Sequence, residues 1–202
     1  MERIGIMGGT FNPIHKGHIR LAQAAYEQYG LTKVLVIPNK LPAYKDCDEL
    51  LSTGQRSDMV RLAIQPYDYM EFSDMELKRR GATYTIDTMQ ILHQNYPDTE
   101  FYFILGGDSL VHFQEWRKYQ DILRLTTILC ARRDDSGFSE LEQARVELIQ
   151  QVPEAKILYL DTPLLDISST RIREGLKDDP TLGRWLPEAV YHYIREHHLY
   201  DL

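Results

Sequence analysis

The spacing of apolar positions changes from stretch to stretch along this chain, and the changes divide it into alternating strands and helices. Arg3–Met7 is a short apolar run that reads as a buried strand. Gly17–Tyr29 sets Ile19, Ala22, Ala25, Tyr26 and Tyr29 at helical spacing, with Gly30 as the stop. Lys33–Pro38 holds Val-Leu-Val-Ile and predicts a second strand ended by Pro38, followed by a loop rich in Asn, Pro and Lys to about Asp48. Ser52-Thr53-Gly54-Gln55 reads as a capping box for a helix through Ile64, stopped before Pro66. A strand is expected over Tyr69–Phe72, a helix from Thr85 to about Gln94 before Pro97, and a strand over Glu100–Leu105 broken by Gly106-Gly107. Strand Thr126–Ala131, helix Glu140–Gln151 and strand Lys156–Leu160 follow, then short helices from Ser169 and from Pro187.

Strands that alternate with helices need crossover connections, which predicts an α/β fold. The expected architecture is a doubly wound, Rossmann-like parallel sheet with helices on both faces and a small C-terminal helical part. Such sheets bind ligands beyond the carboxyl ends of their strands, near the point where strand order reverses. Gly8-Gly9 and Gly106-Gly107 both follow apolar strands and are expected along that rim.

Composition narrows the function classes. A chain of 202 residues with 43% hydrophobic and 26% charged residues suits a single globular domain over 1–202. A net charge of −7 argues against non-specific nucleic-acid binding, which needs a basic face, so an anionic substrate must meet local positive charge. Cys47 and Cys130 are far apart and form no C-x-x-C. Cys130 sits in the apolar run Ile128-Leu129-Cys130-Ala131 and reads as a core residue. This usage points to a reducing, cytoplasmic compartment. No apolar run reaches membrane-spanning length, and the first residues read as a strand in place of a signal peptide.

Three segments carry candidate chemistry. Gly8-Gly9-Thr10-Phe11-Asn12-Pro13-Ile14-His15-Lys16-Gly17-His18 delivers two histidines at a helix head after a glycine pair. It is neither a Walker A loop nor a G-x-G-x-x-G fingerprint. Glycines let backbone N–H groups approach an anion, a helix start favours negative charge, and imidazoles add directional donors. His15 and His18, three residues apart, fall on one face of a helix start. Zinc ligation lacks a third and fourth ligand nearby, and a packed histidine pair fits poorly around a glycine, so phosphate contact is the best fit. Nearby phosphates would readily hold either ring protonated. His93, His112, His192, His197 and His198 lack this context and read as surface or packing residues.

The second segment is Phe103-Ile104-Leu105-Gly106-Gly107-Asp108-Ser109, followed by Trp116. Asp108 reads either as an acceptor for ribose or base donors or as the cap of the next helix. Trp116 reads as a core residue or as a stacking platform for a flat ring, and spacing leaves both open. The third is Asp166-Ile167-Ser168-Ser169-Thr170-Arg171-Ile172-Arg173, where helix-start serines and arginines one turn later suit phosphate oxygens or form an ordinary cap with solvated arginines.

Together these segments resemble the bacterial nicotinate-nucleotide adenylyltransferases of the nucleotidylyltransferase superfamily. Thr83-Tyr84-Thr85-Ile86-Asp87-Thr88 resembles the family's Ser-Tyr-Thr-Ile-Asp-Thr segment, and Pro38-Asn39-Lys40-Leu41-Pro42-Ala43-Tyr44-Lys45 its substrate loop. The chain departs from the family at Tyr44, where His is usual, at Asn12, where Asp is common, and at Ala131-Arg132-Arg133-Asp134 in place of Ala-Arg-Pro-Gly.

The resemblance implies transfer of the adenylyl group of ATP to nicotinate mononucleotide, giving nicotinic acid adenine dinucleotide and pyrophosphate, by direct in-line displacement. It implies His15 and His18 on the ATP phosphates, Ser169 and Arg173 on the departing pyrophosphate, and Gly8, Gly9, Thr10, Phe11, Gly106, Asp108, Ile167 and Ser168 around the nucleotide. It further implies Tyr84 and Thr85 at the nicotinate carboxylate, Trp116 stacked on the pyridine ring, and Lys45 in the substrate loop. Mg²⁺ is expected to arrive with ATP and to need no protein ligand; no nucleic-acid or membrane partner is expected, and a homo-oligomer stays open. Rival readings are a related transferase acting on nicotinamide mononucleotide or phosphopantetheine, and a nucleotide-binding regulator without turnover.

Overall fold

The computed structural model of the chain describes residues 1–40, 50–131, 138–162 and 167–201, with backbone alone at 138–139. Tyr44, Lys45, Cys47, Arg132 and Asp166 lie outside the described residues. In chain order the elements are β1 (Glu2–Gly9), α1 (Lys16–Tyr29), β2 (Lys33–Pro38), α2 (Thr53–Ile64), β3 (Met70–Phe72), α3 (Thr85–Asn95) and β4 (Thr99–Leu105). Then come α4 (Gly107–Val111), α5 (Tyr119–Leu125), β5 (Thr127–Ala131), α6 (Phe138–Gln151), β6 (Ile157–Leu160), α7 (Ser169–Gly175) and α8 (Glu188–Glu196). Short 3₁₀ segments occupy Phe113–Glu115 and Pro180–Trp185, and Leu199–Asp201 is a turn with left-handed backbone at Tyr200 and Asp201.

The six strands form one sheet in the order β3-β2-β1-β4-β5-β6, and every neighbouring pair is parallel. This is the doubly wound arrangement expected from the alternation of elements, with the reversal of strand order between β1 and β4. Alternate residues of each strand feed opposite faces. Val34 and Val36 of β2 join Ile19, Ala22, Ala25, Met59, Ile172 and Val190 from α1, α2, α7 and α8. Leu35 and Ile37 join Phe101, Phe103, Ile128 and Cys130, covered by Ile86, Leu110, Ile122 and Leu148 from α3 to α6. Cys130 is fully buried in that second layer, and burial pushes its thiol up to about 12. Where β1 packs beside β2, β4 and the turn after α1, the fit is tight enough to require a glycine. A Cβ at Gly5 would stand 2.9 Å from Leu31 and 3.1 Å from Val34 and Ile104.

The local signals act as their chemistry predicts. Gly30 closes α1 in the left-handed region at φ 58°, which a glycine adopts without steric cost. Ser52 and Gln55 form a reciprocal capping box: the Gln55 N–H donates to Ser52 Oγ and the Ser52 N–H to Gln55 Oε1, both at 3.2 Å. Two expectations are corrected. β1 does not break at the glycine pair, because Gly8 and Gly9 stay in register with Ile37 and Pro38 of β2. The chain turns after Gly9. Asp108 is not the cap of α4 either, since Gly106 holds that position in extended backbone and Asp108 lies inside the first turn.

Candidate active site

The turn from β1 into α1 is built on contacts that explain its glycines. Phe11 takes a left-handed backbone, φ 50°, which folds its ring back over Gly9. A Cβ at Gly9 would lie 3.0 Å from that ring, so only glycine fits beneath it. The same logic governs the histidines. His15 is the N-cap of α1 with extended backbone, and its imidazole lies across the first helical turn. A Cβ at Gly17 would stand 2.9 Å from His15 Nδ1 and Cε1, which is why a glycine separates the two histidines.

His18 closes the arrangement from one turn on. Its ring lies 3.8 Å from that of His15, centroid to centroid, and its Nδ1 accepts the His15 backbone N–H at 3.1 Å. An accepting Nδ1 puts the N–H of the neutral ring on Nε2. Phe11 meets His18 edge-on at 5.2 Å. His15 is only 7% exposed, and burial lowers its pKa from 6.5 to about 4. Its buried Nδ1 has no hydrogen-bond partner among the described residues. The sequence expectation of readily protonated rings is therefore modified: before phosphate arrives, His15 is neutral at physiological pH.

α7 approaches the same turn from the far end of the chain. Ser168 is its N-cap, with Oγ accepting from the Arg171 N–H at 3.1 Å. Ser169 Oγ donates to the Pro13 carbonyl at 2.8 Å, and Arg173 Nη1 donates to the Asn12 carbonyl at 3.0 Å. Ile167 would touch a Cβ at Gly17 at 3.5 Å. Thus Gly8, Gly9, Thr10, Phe11, His15, His18, Ile167, Ser168, Ser169 and Arg173 converge on one turn, although about 150 residues of chain separate its two halves.

A cavity of about 510 Å³ opens beside that turn, at the carboxyl ends of β1 and β4. Gly8, Gly9 and Thr10 form part of its wall together with Tyr84, Thr85, Asp108 and Trp116, whereas Phe11, His15, His18, Ile167, Ser168, Ser169 and Arg173 do not line it. Tyr84 caps α3, so Thr85 begins that helix, where the first N–H groups lack intrahelical acceptors. Trp116 stacks on Phe113 at 4.9 Å and meets Phe103 edge-on at 6.0 Å while still lining the cavity, so packing and ligand-facing roles coexist in it. Gly106 caps α4 at the end of β4 with nothing within 4 Å of an added Cβ; it is not part of the cavity wall. Lys45 lies outside the described residues.

Several residues of the site carried no motif. Glu76 is buried at the cavity wall, where Thr88 Oγ1 donates to its carboxylate at 2.6 Å. Burial raises its pKa, and bonds from Thr88 and Thr83 oppose the rise. Arg117 lies 4.7 Å above the Tyr84 ring. His112, read as a surface or packing residue, is at the cavity rim. Asn39 donates to Thr10 Oγ1 at 3.2 Å. Arg56, fully buried, donates to three main-chain carbonyls: Thr10 at 2.7 Å, Lys40 at 3.1 Å and Leu51 at 3.2 Å. It joins the histidine turn to both ends of the segment 41–50. In sequence it is an arginine within a capped helix, a position that ordinarily reads as solvated.

A cytidylyltransferase-like family model matches residues 6–175. The chain is 44% identical over 200 residues to a probable nicotinate-nucleotide adenylyltransferase of Lachnoclostridium phytofermentans, covering 99% of this chain and 100% of the relative. It is 41% identical over 203 residues to a protein of the same name from Desulfitobacterium hafniense, covering 100% of this chain and 97% of the relative. A Plasmodium falciparum nicotinic acid mononucleotide adenylyltransferase, solved in complex with NaAD, superposes with a TM-score of 0.82 at 21% identity, covering 100% of this chain and 98% of that one. That likeness establishes the fold. The sequence relatives go further, and with the family model they place this chain in the nicotinate-nucleotide adenylyltransferase family of cytidylyltransferase-like proteins.

Proposed function

We propose that this protein transfers the adenylyl group of ATP to nicotinate mononucleotide, releasing pyrophosphate and forming nicotinic acid adenine dinucleotide. The observation that carries the reading is a shared wall. Gly8–Thr10 belongs at once to the histidine turn and to the cavity bounded by Thr85 and Trp116. A nucleotide phosphate on the turn and a pyridine nucleotide in the cavity would therefore meet at one strand end. The family named above supports the same pair of substrates.

The attacking phosphate of the mononucleotide is already anionic, so no protein nucleophile is required. Catalysis reduces to aligning two anions and stabilising charge that grows on the α-phosphoryl oxygens. His18 Nε2–H and the N–H groups of Gly9–Phe11 are the donors assigned to those oxygens. His15, neutral and packed at a tilt against His18, helps set the ring plane of its neighbour and offers its single N–H to phosphate. Arg173 and Ser169 hold the turn closed in the absence of ligand and are placed to meet the departing pyrophosphate. Asp108, Gly106, Ile167 and Ser168 frame the nucleotide, and Lys45 serves the mononucleotide side. Mg²⁺ would enter with ATP and supply charge neutralisation at its phosphates, with no residue of this chain assigned to hold it.

Specificity for the acid follows from hydrogen-bond polarity. A carboxylate only accepts, and Thr85 with the first amides of α3 can all donate to it. Nicotinamide would turn an NH₂ toward those donors and leave buried groups unsatisfied, at about 1–3 kcal/mol each. Pyrophosphate release measured with ATP and each mononucleotide tests the proposal. Nicotinate mononucleotide should be preferred in kcat/KM, and Thr85→Val should narrow the ratio. Comparable rates on the two mononucleotides would reject the acid-specific site.

A further inference from the structure

Tyr200 lies 188 positions from Asn12, yet its hydroxyl donates to Asn12 Oδ1 at 2.9 Å. The contact is built with care for so short a segment. Leu199 is buried, and His198, Tyr200 and Asp201 all take left-handed backbone with φ of 50°, 58° and 61°. Side-chain-bearing residues adopt that region seldom, and it persists where surroundings over-determine it. Burial holds the phenol above its ordinary titration range, so the hydroxyl stays a donor at any working pH. The charges of Arg173 and Arg56 act in the opposite direction without overcoming it.

Asn12 is where these contacts meet. Its Oδ1 also accepts the Leu51 N–H at 3.4 Å, and its carbonyl accepts Arg173 Nη1 at 3.0 Å. The side chain is 5% exposed, so its amide has little freedom to turn. It stands directly after Phe11 and three residues before His15. A group that fixes Asn12 therefore fixes the backbone on which both the turn amides and the histidine pair are mounted. Neither Tyr200 nor Asn12 lines the cavity of Thr85 and Trp116.

We propose that Tyr200 is a positioning residue for phosphoryl chemistry: through Asn12 it holds the Gly9–His15 turn in its reactive shape. The proposal rests on the adenylyltransferase reading given above. Tyr200→Phe removes one oxygen and keeps the ring in its slot. Loss of that hydrogen bond should lower kcat for pyrophosphate release by roughly 5- to 10-fold. KM for nicotinate mononucleotide should stay within about twofold, since its cavity is not touched. Because the effect passes through Asn12, Tyr200→Phe should cost less than about twofold when added to Asn12→Ala. All rates are taken well below each variant's Tm.

Unchanged kcat with a lowered Tm, or multiplicative losses in the double variant, would overturn the proposal. Amide hydrogen exchange at Thr10 and Phe11 supplies a readout independent of turnover and of Asn12→Ala folding. It should quicken in Tyr200→Phe, and unchanged exchange refutes the role. Wild-type protein that releases no pyrophosphate would instead sink the parent reading and leave the exchange test standing.

Discussion

Buried and packed against His18, His15 should make the fold sensitive to acid over a defined window. In the unfolded chain its ring titrates near the ordinary 6.5; in the folded protein burial defers protonation to about 4. Between those values the unfolded state binds the proton and the folded state does not, so stability falls as pH drops through 6.5 and stops falling near 4. Above pH 6.5 both states are neutral and the contribution is flat. The full cost of protonating the buried ring is about 3 kcal/mol, and about 2 kcal/mol of it is already lost at pH 5. His15→Asn isolates the effect, because asparagine is a good N-cap and does not titrate. Urea unfolding of both proteins at pH 8 and pH 5 gives the comparison. The wild type should lose about 2 kcal/mol more than the variant over that interval, close to 1 M in urea midpoint. Equal losses in the two proteins would refute a buried neutral His15.

Two further predictions concern substrates. His18→Ala should lower turnover by about 10²–10³ with the fold intact, as removal of one transition-state donor typically does, and folded protein with unchanged kcat would exclude the role. Trp116→Ala should raise KM for nicotinate mononucleotide about tenfold and leave that for ATP nearly unchanged, since it lines only the Thr85 cavity; equal weakening of both would make it a packing residue alone.

The parts of the fold legible in sequence are those with strong local chemistry. The capping box at Ser52, the stop at Gly30 and the apolar runs of β2 and β4 depend on neighbours in the chain, and their boundaries emerge within a residue or two. α4 and α5, with 5 and 7 residues, are too short for helical spacing to show. The site divides in the same way. His15, His18, Thr85 and Trp116 sit in patterns whose spacing has a chemical meaning. Arg56, Glu76 and Tyr200 do not, because each is defined by partners in other elements. The glycines carry a second demand that the sequence does not show: Gly9 and Gly17 seat the rings of Phe11 and His15, a steric requirement visible only once those rings are placed.

Arg56 grips its surroundings entirely through main-chain carbonyls in the bonds described above, at Thr10, Lys40 and Leu51. Such a grip is blind to side chains. Carbonyls are the same whatever residue carries them, so the flanks of the segment 41–50 stay anchored through almost any exchange of amino acid short of a shift in backbone path. The sequence between those anchors is thereby left free to vary. Insertions are a different matter. One extra residue between Leu51 and Arg56 would displace the Leu51 carbonyl from the guanidinium fork, so that stretch should accept variety of sequence and resist variety of length.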